Sequence, residues 1–211
     1  LVRLLVAPGT PVVTSAGAYP TFAYHVAGYG GRLVTLPYRD DAEDPEALLL
    51  AARKSAAPLV YLANPDNPMG THHSGARIAE MIGRLPGDCL LCLDEAYAEF
   101  APALPRIDPA DPRVLRMRTF SKAYGMAGAR IGWALGAPEV VRAFDRVRNH
   151  FGVNRIAQAG ALAVHHSAES LAVSIRHARR RDRGRRAGVF GSPRVPPASK
   201  REVSGARTAR R

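Results

Sequence analysis

The residues of this chain that can do chemistry are concentrated in three short polar runs, each directly behind an apolar stretch. Asn64-Pro65-Asp66-Asn67-Pro68-Met69-Gly70 follows Leu59 to Ala63, Asp94-Glu95-Ala96-Tyr97 follows Leu90 to Leu93, and Thr119-Phe120-Ser121-Lys122 follows Val114 to Arg118. The chain has three lysines, Lys54, Lys122 and Lys200, and only Lys122 stands behind a β-rich run among hydroxyl residues. A lysine amine that sheds its proton is a nucleophile and a proton carrier. Arg130, eight residues beyond it, adds a guanidinium able to make charge-assisted, two-pronged contacts. Plain structural roles compete with each of these: a cap for Asp94, Thr119 or Ser121, a turn position for Asn67, a packed aromatic for Tyr97, a surface cation for Arg130.

These runs need a scaffold, and the apolar spacing indicates one. Short β-rich runs near Val12 to Thr14, Leu33 to Leu36, Leu59 to Ala63, Leu90 to Leu93, Val114 to Arg118 and Ile131 to Leu135 read as buried strands. Helical spacing falls between them at Phe22 to Ala27, at Glu46 to Ala56 behind Asp44-Pro45, and at Gly75 to Leu85 behind Ser74. Further on, Pro138-Glu139 opens a helix expected to reach Arg148, and Asn154 caps another through Ala163 or beyond. Such alternation predicts an α/β fold with a mostly parallel sheet and flanking helices. In open sheets of that kind ligands gather at the carboxyl ends of the strands, where all three polar runs fall.

In this order and spacing, the three runs and the continuation Ala123-Tyr124-Gly125-Met126-Ala127-Gly128-Ala129-Arg130-Ile131-Gly132 resemble the fold-type I, class I/II pyridoxal-phosphate aminotransferases, nearest the histidinol-phosphate aminotransferase group. The resemblance runs from about Val12 to about Ala168. It implies the large domain of such an enzyme, with pyridoxal 5'-phosphate as cofactor and an amino group moved between an amino compound, histidinol phosphate or an amino acid, and a 2-oxo acid. Lys122 matches the family's Schiff-base lysine, Asp94 the aspartate facing the pyridine nitrogen, and Asn67 and Tyr97 the groups reaching the ring's phenolic oxygen. Thr119, Ser121 and Arg130 match the phosphate grip. Phe22, in Tyr19-Pro20-Thr21-Phe22-Ala23-Tyr24, matches the aromatic that stacks on the ring, with a core position as its other reading; Tyr24 reads as core. Met69 stands where the family usually has threonine. A homodimer in the cytoplasm is the family habit.

The resemblance also implies absences. The family's glycine-rich phosphate turn would precede Leu1 and its small domain would follow about Ala168, so the chain is expected to be incomplete at both ends. Domain limits of 1–150 for the cofactor-binding part, 151–175 for a helix leading out, and 176–211 for a basic, disordered or non-native tail follow. An inactive fragment, and a noncatalytic protein whose tail grips nucleic acid, are the competing readings.

Composition narrows the classes further. A chain of 211 residues with 46% hydrophobic content can bury a core, and it has no apolar run long enough for a membrane span. The net charge of +12 is lopsided: residues 1–175 carry 17 Lys+Arg against 16 Asp+Glu, and 176–211 carry 13 against 2. A near-neutral body does not supply the basic surface of a folded nucleic-acid binder. Cys89 and Cys92, three apart in one strand, point to opposite faces and read as buried thiols. His72-His73 and His165-His166 lack further ligands at zinc spacing, so no metal is expected.

Overall fold

The first strand, β1, is Pro11–Ser15, and five more follow: β2 Arg32–Leu36, β3 Leu59–Ala63, β4 Leu90–Asp94, β5 Val114–Thr119 and β6 Gly132–Leu135. Helices α1 Val2–Leu5, α2 Pro20–Gly28, α3 Pro45–Ser55, α4 Gly75–Gly83, α5 Pro138–Ala143 and α6 Arg155–His165 complete the regular elements. This computed structural model describes residues 1–103, 106–165, 171–172 and 175–176. The basic stretch from 177 onward lies outside them, as does part of the helical stretch expected to 175. The described elements belong to one compact unit, Leu1–Arg176.

The strands form a single sheet in the order β2-β1-β3-β4-β5-β6. All pairs are parallel except β5 with β6, which is antiparallel through Arg116↔Leu135 to Thr119↔Gly132. Every residue of β3 is buried, because a central parallel strand is covered on both faces. Its alternation divides the core in two. Val60 and Leu62 join Val13, Leu91 and Leu93 beneath Leu48, Leu49, Ile78 and Met81 of α3 and α4. Leu59, Tyr61 and Ala63 join Val12, Leu90, Cys92 and Leu115 beneath Val2 and Val26 of α1 and α2. Each such aliphatic side chain contributes about 1.5–3 kcal/mol on burial.

The helices begin where their caps dictate. The Asp44 carboxylate accepts the N–H groups of Glu46 and Ala47 at 3.0 and 3.3 Å and starts α3 ahead of Pro45. Ser74 accepts from Arg77 N–H at 3.2 Å and starts α4. Both are ordinary N-cap contacts to otherwise unsatisfied donors.

Four expectations are corrected. Strands β2 and β6 are not buried throughout: they are the sheet edges, and their burial alternates or is partial. Tyr24 is 71% exposed rather than core, because α2 turns only Val26 fully inward. The helix begun at Pro138 stops at Ala143 and tightens into a 3₁₀ turn over Phe144–Arg146. Helix α4 ends at Gly83, short of Leu85. The two cysteines fall on opposite faces of the sheet as their spacing predicts, Cys89 in one core and Cys92 in the other, both as free thiols.

Candidate active site

Behind β3, the segment 64–70 is fastened from within. Asn64 is buried; its amide donates to the His73 carbonyl at 3.2 Å while its carbonyl oxygen accepts His73 N–H at 2.8 Å. Asp66, also buried, accepts from Tyr38 Oη at 3.0 Å and from Met69 N–H at 3.3 Å. These contacts tie down the residues on either side of Asn67, which faces the adjoining cavity. The Asn67 amide stands 3.5 Å from Tyr97 Oη.

At the end of β4, adjacent acids turn to opposite faces. Glu95 goes inward: it is fully buried and accepts two hydrogen bonds from Arg116, both 3.0 Å, and one from Arg118 at 3.4 Å. Arg118 also pairs with Glu99 and lies 5.6 Å from the Trp133 ring centre. Asp94 faces the cavity. Its Oδ1 accepts Ala96 N–H at 2.9 Å and its Oδ2 accepts the Tyr61 hydroxyl at 2.6 Å.

At the end of β5, Thr119 Oγ1 accepts Ser121 N–H at 3.0 Å and sets the turn that presents Lys122. Phe120 beneath it is wedged between Tyr124 and Trp133, ring centres at 5.0 and 4.6 Å. Gly125, with φ +71°, lets Gly125 N–H close back on the Lys122 carbonyl at 3.0 Å, a conformation that costs a Cβ-bearing residue more. Met126, at the far end of the turn, supports α6, where a Cβ on Gly160 would fall 2.8 Å from Met126 Cε. The Lys122 ammonium lies 5.0 Å from the centre of the Tyr97 ring, within cation–π reach.

Asn67, Asp94, Tyr97, Thr119, Ser121, Lys122 and Arg130 all line one cavity of about 390 Å³ at the carboxyl ends of β3, β4 and β5. Phe22 does not. It lines the neighbouring hollow, with its ring stacked on Tyr61 at 4.4 Å and 20°. Arg130 is held in a left-handed conformation, φ +55°, with Nη1 donating to the Ala127 carbonyl at 2.6 Å. Three residues absent from the sequence-derived set, Tyr19, Tyr61 and Met117, line both hollows. For Tyr61 the available signal was a phenol in a wholly apolar strand, since a buried hydroxyl requires a partner. Among the described residues no group of His, Cys, Asp and Glu could hold a metal ion.

The electrostatics fit this layout. The Tyr61 phenol is pushed above its ordinary range, first by burial and then by the Asp94 charge and hydrogen bond. Glu43, buried behind the loop, accepts Ser15 Oγ at 2.6 Å and Ala63 N–H at 2.8 Å. Burial lifts its carboxyl to about 7 against those two hydrogen bonds, with Asp66 and Asp94 adding to the rise.

The cavity therefore offers an amine and a carboxylate, an amide–phenol pair, and two hydroxyls with a guanidinium. Its size suits a small cofactor. Residues 1–190 match the family Aminotransferase class I and II. The chain belongs to this family. Among relatives of this aminotransferase-family chain, histidinol-phosphate aminotransferase of Anaeromyxobacter sp. is 42% identical over 177 residues, 80% of this chain and 48% of the relative. An aromatic amino acid aminotransferase of Corynebacterium diphtheriae is 37% identical over 171 residues, 77% of this chain and 49% of the relative. The crystal structure of histidinol-phosphate aminotransferase from Sinorhizobium meliloti in complex with pyridoxal-5'-phosphate superposes with a TM-score of 0.80 at 54% identity, covering 82% of this chain and 48% of that one. The chain thus spans about half the length of the relatives it matches. The mostly parallel six-stranded sheet with flanking helices is the fold of these aminotransferases. No helix among the described residues is long and apolar enough to cross a membrane.

Proposed function

We propose that this chain is the cofactor-binding part of a pyridoxal-phosphate-dependent aminotransferase. Its amino donor would be histidinol phosphate or an amino acid, and its acceptor a 2-oxo acid. The observation that carries the reading is the presence of Lys122 and Asp94 on the wall of one cavity, at the tips of adjacent parallel strands. Pyridoxal phosphate, when bound, supplies a ring that takes up the electron pair left on the substrate's α-carbon. The protein's share is positioning and proton handling. The Asp94 carboxylate would hold a proton on the ring nitrogen, Asn67 and Tyr97 would donate to the phenolic oxygen, and Thr119, Ser121 and Arg130 would grip the phosphate. Lys122 would be the residue that holds the cofactor covalently and, once freed, the base that would carry the α-proton. Phe22, stacked on Tyr61 beside the cavity, would meet the ring from the neighbouring hollow.

We place the whole protein in the cytoplasm as a homodimer, on the strength of the family resemblance. The test of the main reading is spectral. Adding pyridoxal phosphate to the folded chain should produce a visible absorption band that is absent in Lys122→Ala, and turnover should follow with histidinol phosphate and a 2-oxo acid. A folded chain with no band, or a band that survives in Lys122→Ala, would refute it.

A further inference from the structure

The Asp94 carboxylate is held from below as well as from its own turn. Tyr61, one strand over in β3, reaches up to Oδ2 at 2.6 Å, while Ala96 N–H occupies Oδ1 at 2.9 Å. Tyr61 is itself fixed. It is 4% exposed, pairs in register with Cys92, and carries Phe22 stacked on its ring. Its hydroxyl is thus delivered to Asp94 by the sheet rather than by a mobile loop. We infer that Tyr61 is a positioning residue for Asp94, keeping that carboxylate oriented and hydrogen-bonded when a cofactor ring covers it. The inference rests on the reading of the cavity as a pyridoxal-phosphate site.

The physical reason concerns water. Asp94 is half-buried on the wall of an open cavity, so in the empty site water can serve any lone pair the protein leaves free. A ring seated over Asp94 expels that water. With Tyr61 present, Oδ2 keeps a donor inside the sheet; with phenylalanine there, the carboxylate enters the bound state one hydrogen bond short. A hydrogen bond to a charged group is among the stronger kinds, and its loss should weaken binding about tenfold. The phenylalanine ring preserves the stacking on Phe22, so packing is left intact.

The experiment measures the dissociation constant of pyridoxal phosphate from its visible band in four chains of residues 1–211: unsubstituted, Tyr61→Phe, Asp94→Asn and the double variant. Thermal unfolding of each is recorded without cofactor. Tyr61→Phe should melt within a few degrees of the unsubstituted chain yet bind about tenfold more weakly, and in the Asp94→Asn background the same change should cost less than about threefold, since the charge it serves is gone. Unchanged affinity in Tyr61→Phe overturns the inference and leaves the cofactor site standing. An equal penalty in both backgrounds, or a large fall in melting temperature, also overturns it, because Tyr61 would then act through packing. A folded, unsubstituted chain with no band overturns the cofactor reading and the inference together.

Discussion

Replacing Glu43 by glutamine should remove a proton-linked part of the chain's stability while leaving its hydrogen bonds in place. Glu43 is 2% exposed and accepts Ser15 Oγ and Ala63 N–H on its two oxygens. Burial is the largest influence on its carboxyl, which titrates near 7 in the folded chain against an ordinary 4.5. The folded state therefore holds a proton that the unfolded chain releases through this interval. Glu43's contribution is full below about pH 4.5 and falls as pH rises toward 7, after which it is constant. A shift of this size corresponds to about 3 kcal/mol. Glutamine can accept Ala63 N–H on its carbonyl and donate to Ser15 Oγ, so the variant mimics the protonated form. Nearby His73, whose imidazole is lowered chiefly by burial, has the opposite slope, being stabilised as pH rises; it cancels when the two chains are compared. Urea denaturation from pH 4.5 to 8 is the assay. Glu43→Gln should gain on the unsubstituted chain steadily with pH and lead by about 3 kcal/mol above pH 7. A constant difference across the range, or one that narrows with pH, would refute the reasoning.

Glu95→Ala should destabilise the fold by about 3–5 kcal/mol, since it strands Arg116, 12% exposed, and takes from Arg118, 10% exposed, one of its two carboxylate partners; denaturation midpoints decide it. Gly132→Ala should destabilise the β5–β6 edge, because the new Cβ would fall 2.6 Å from the Arg118 carbonyl oxygen; slow amide exchange at β6 surviving unchanged would contradict this. The Cys89 and Cys92 thiols are pushed up to about 11 and 12 by burial, so at pH 8 an alkylating reagent should label them only after denaturant is added, as mass spectrometry of the intact chain can show. Rapid labelling of the native protein would place a cysteine at the surface instead.

Much of the architecture was legible because it is local. The apolar runs of β3 and β4 and the caps at Asp44 and Ser74 announce their elements through contacts within a few residues. Strand termini also forecast which polar residues would meet: Lys122, Asp94 and Arg130 stand up to 36 positions apart, yet the parallel pairing of β4 with β5 and the antiparallel return into β6 bring them to one cavity. The edge positions of β2 and β6 were not legible. Strand order is a global property, and an apolar pentamer reads alike at the centre of a sheet or at its rim.

By itself, the sequence determined the kinds of group available and the strand ends on which they ride, since period and capping are properties of neighbours along the chain. Only the folded sheet decided who touches whom across strands. Tyr61 lies 33 residues before Asp94 and nothing in its own apolar strand names a partner; the β3–β4 register does. The same applies to Glu43, a loop residue whose environment is made by Ser15 of β1 and Ala63 of β3. Burial, and with it the cost of a charge or an unpaired hydroxyl, exists only once distant segments have closed around the group.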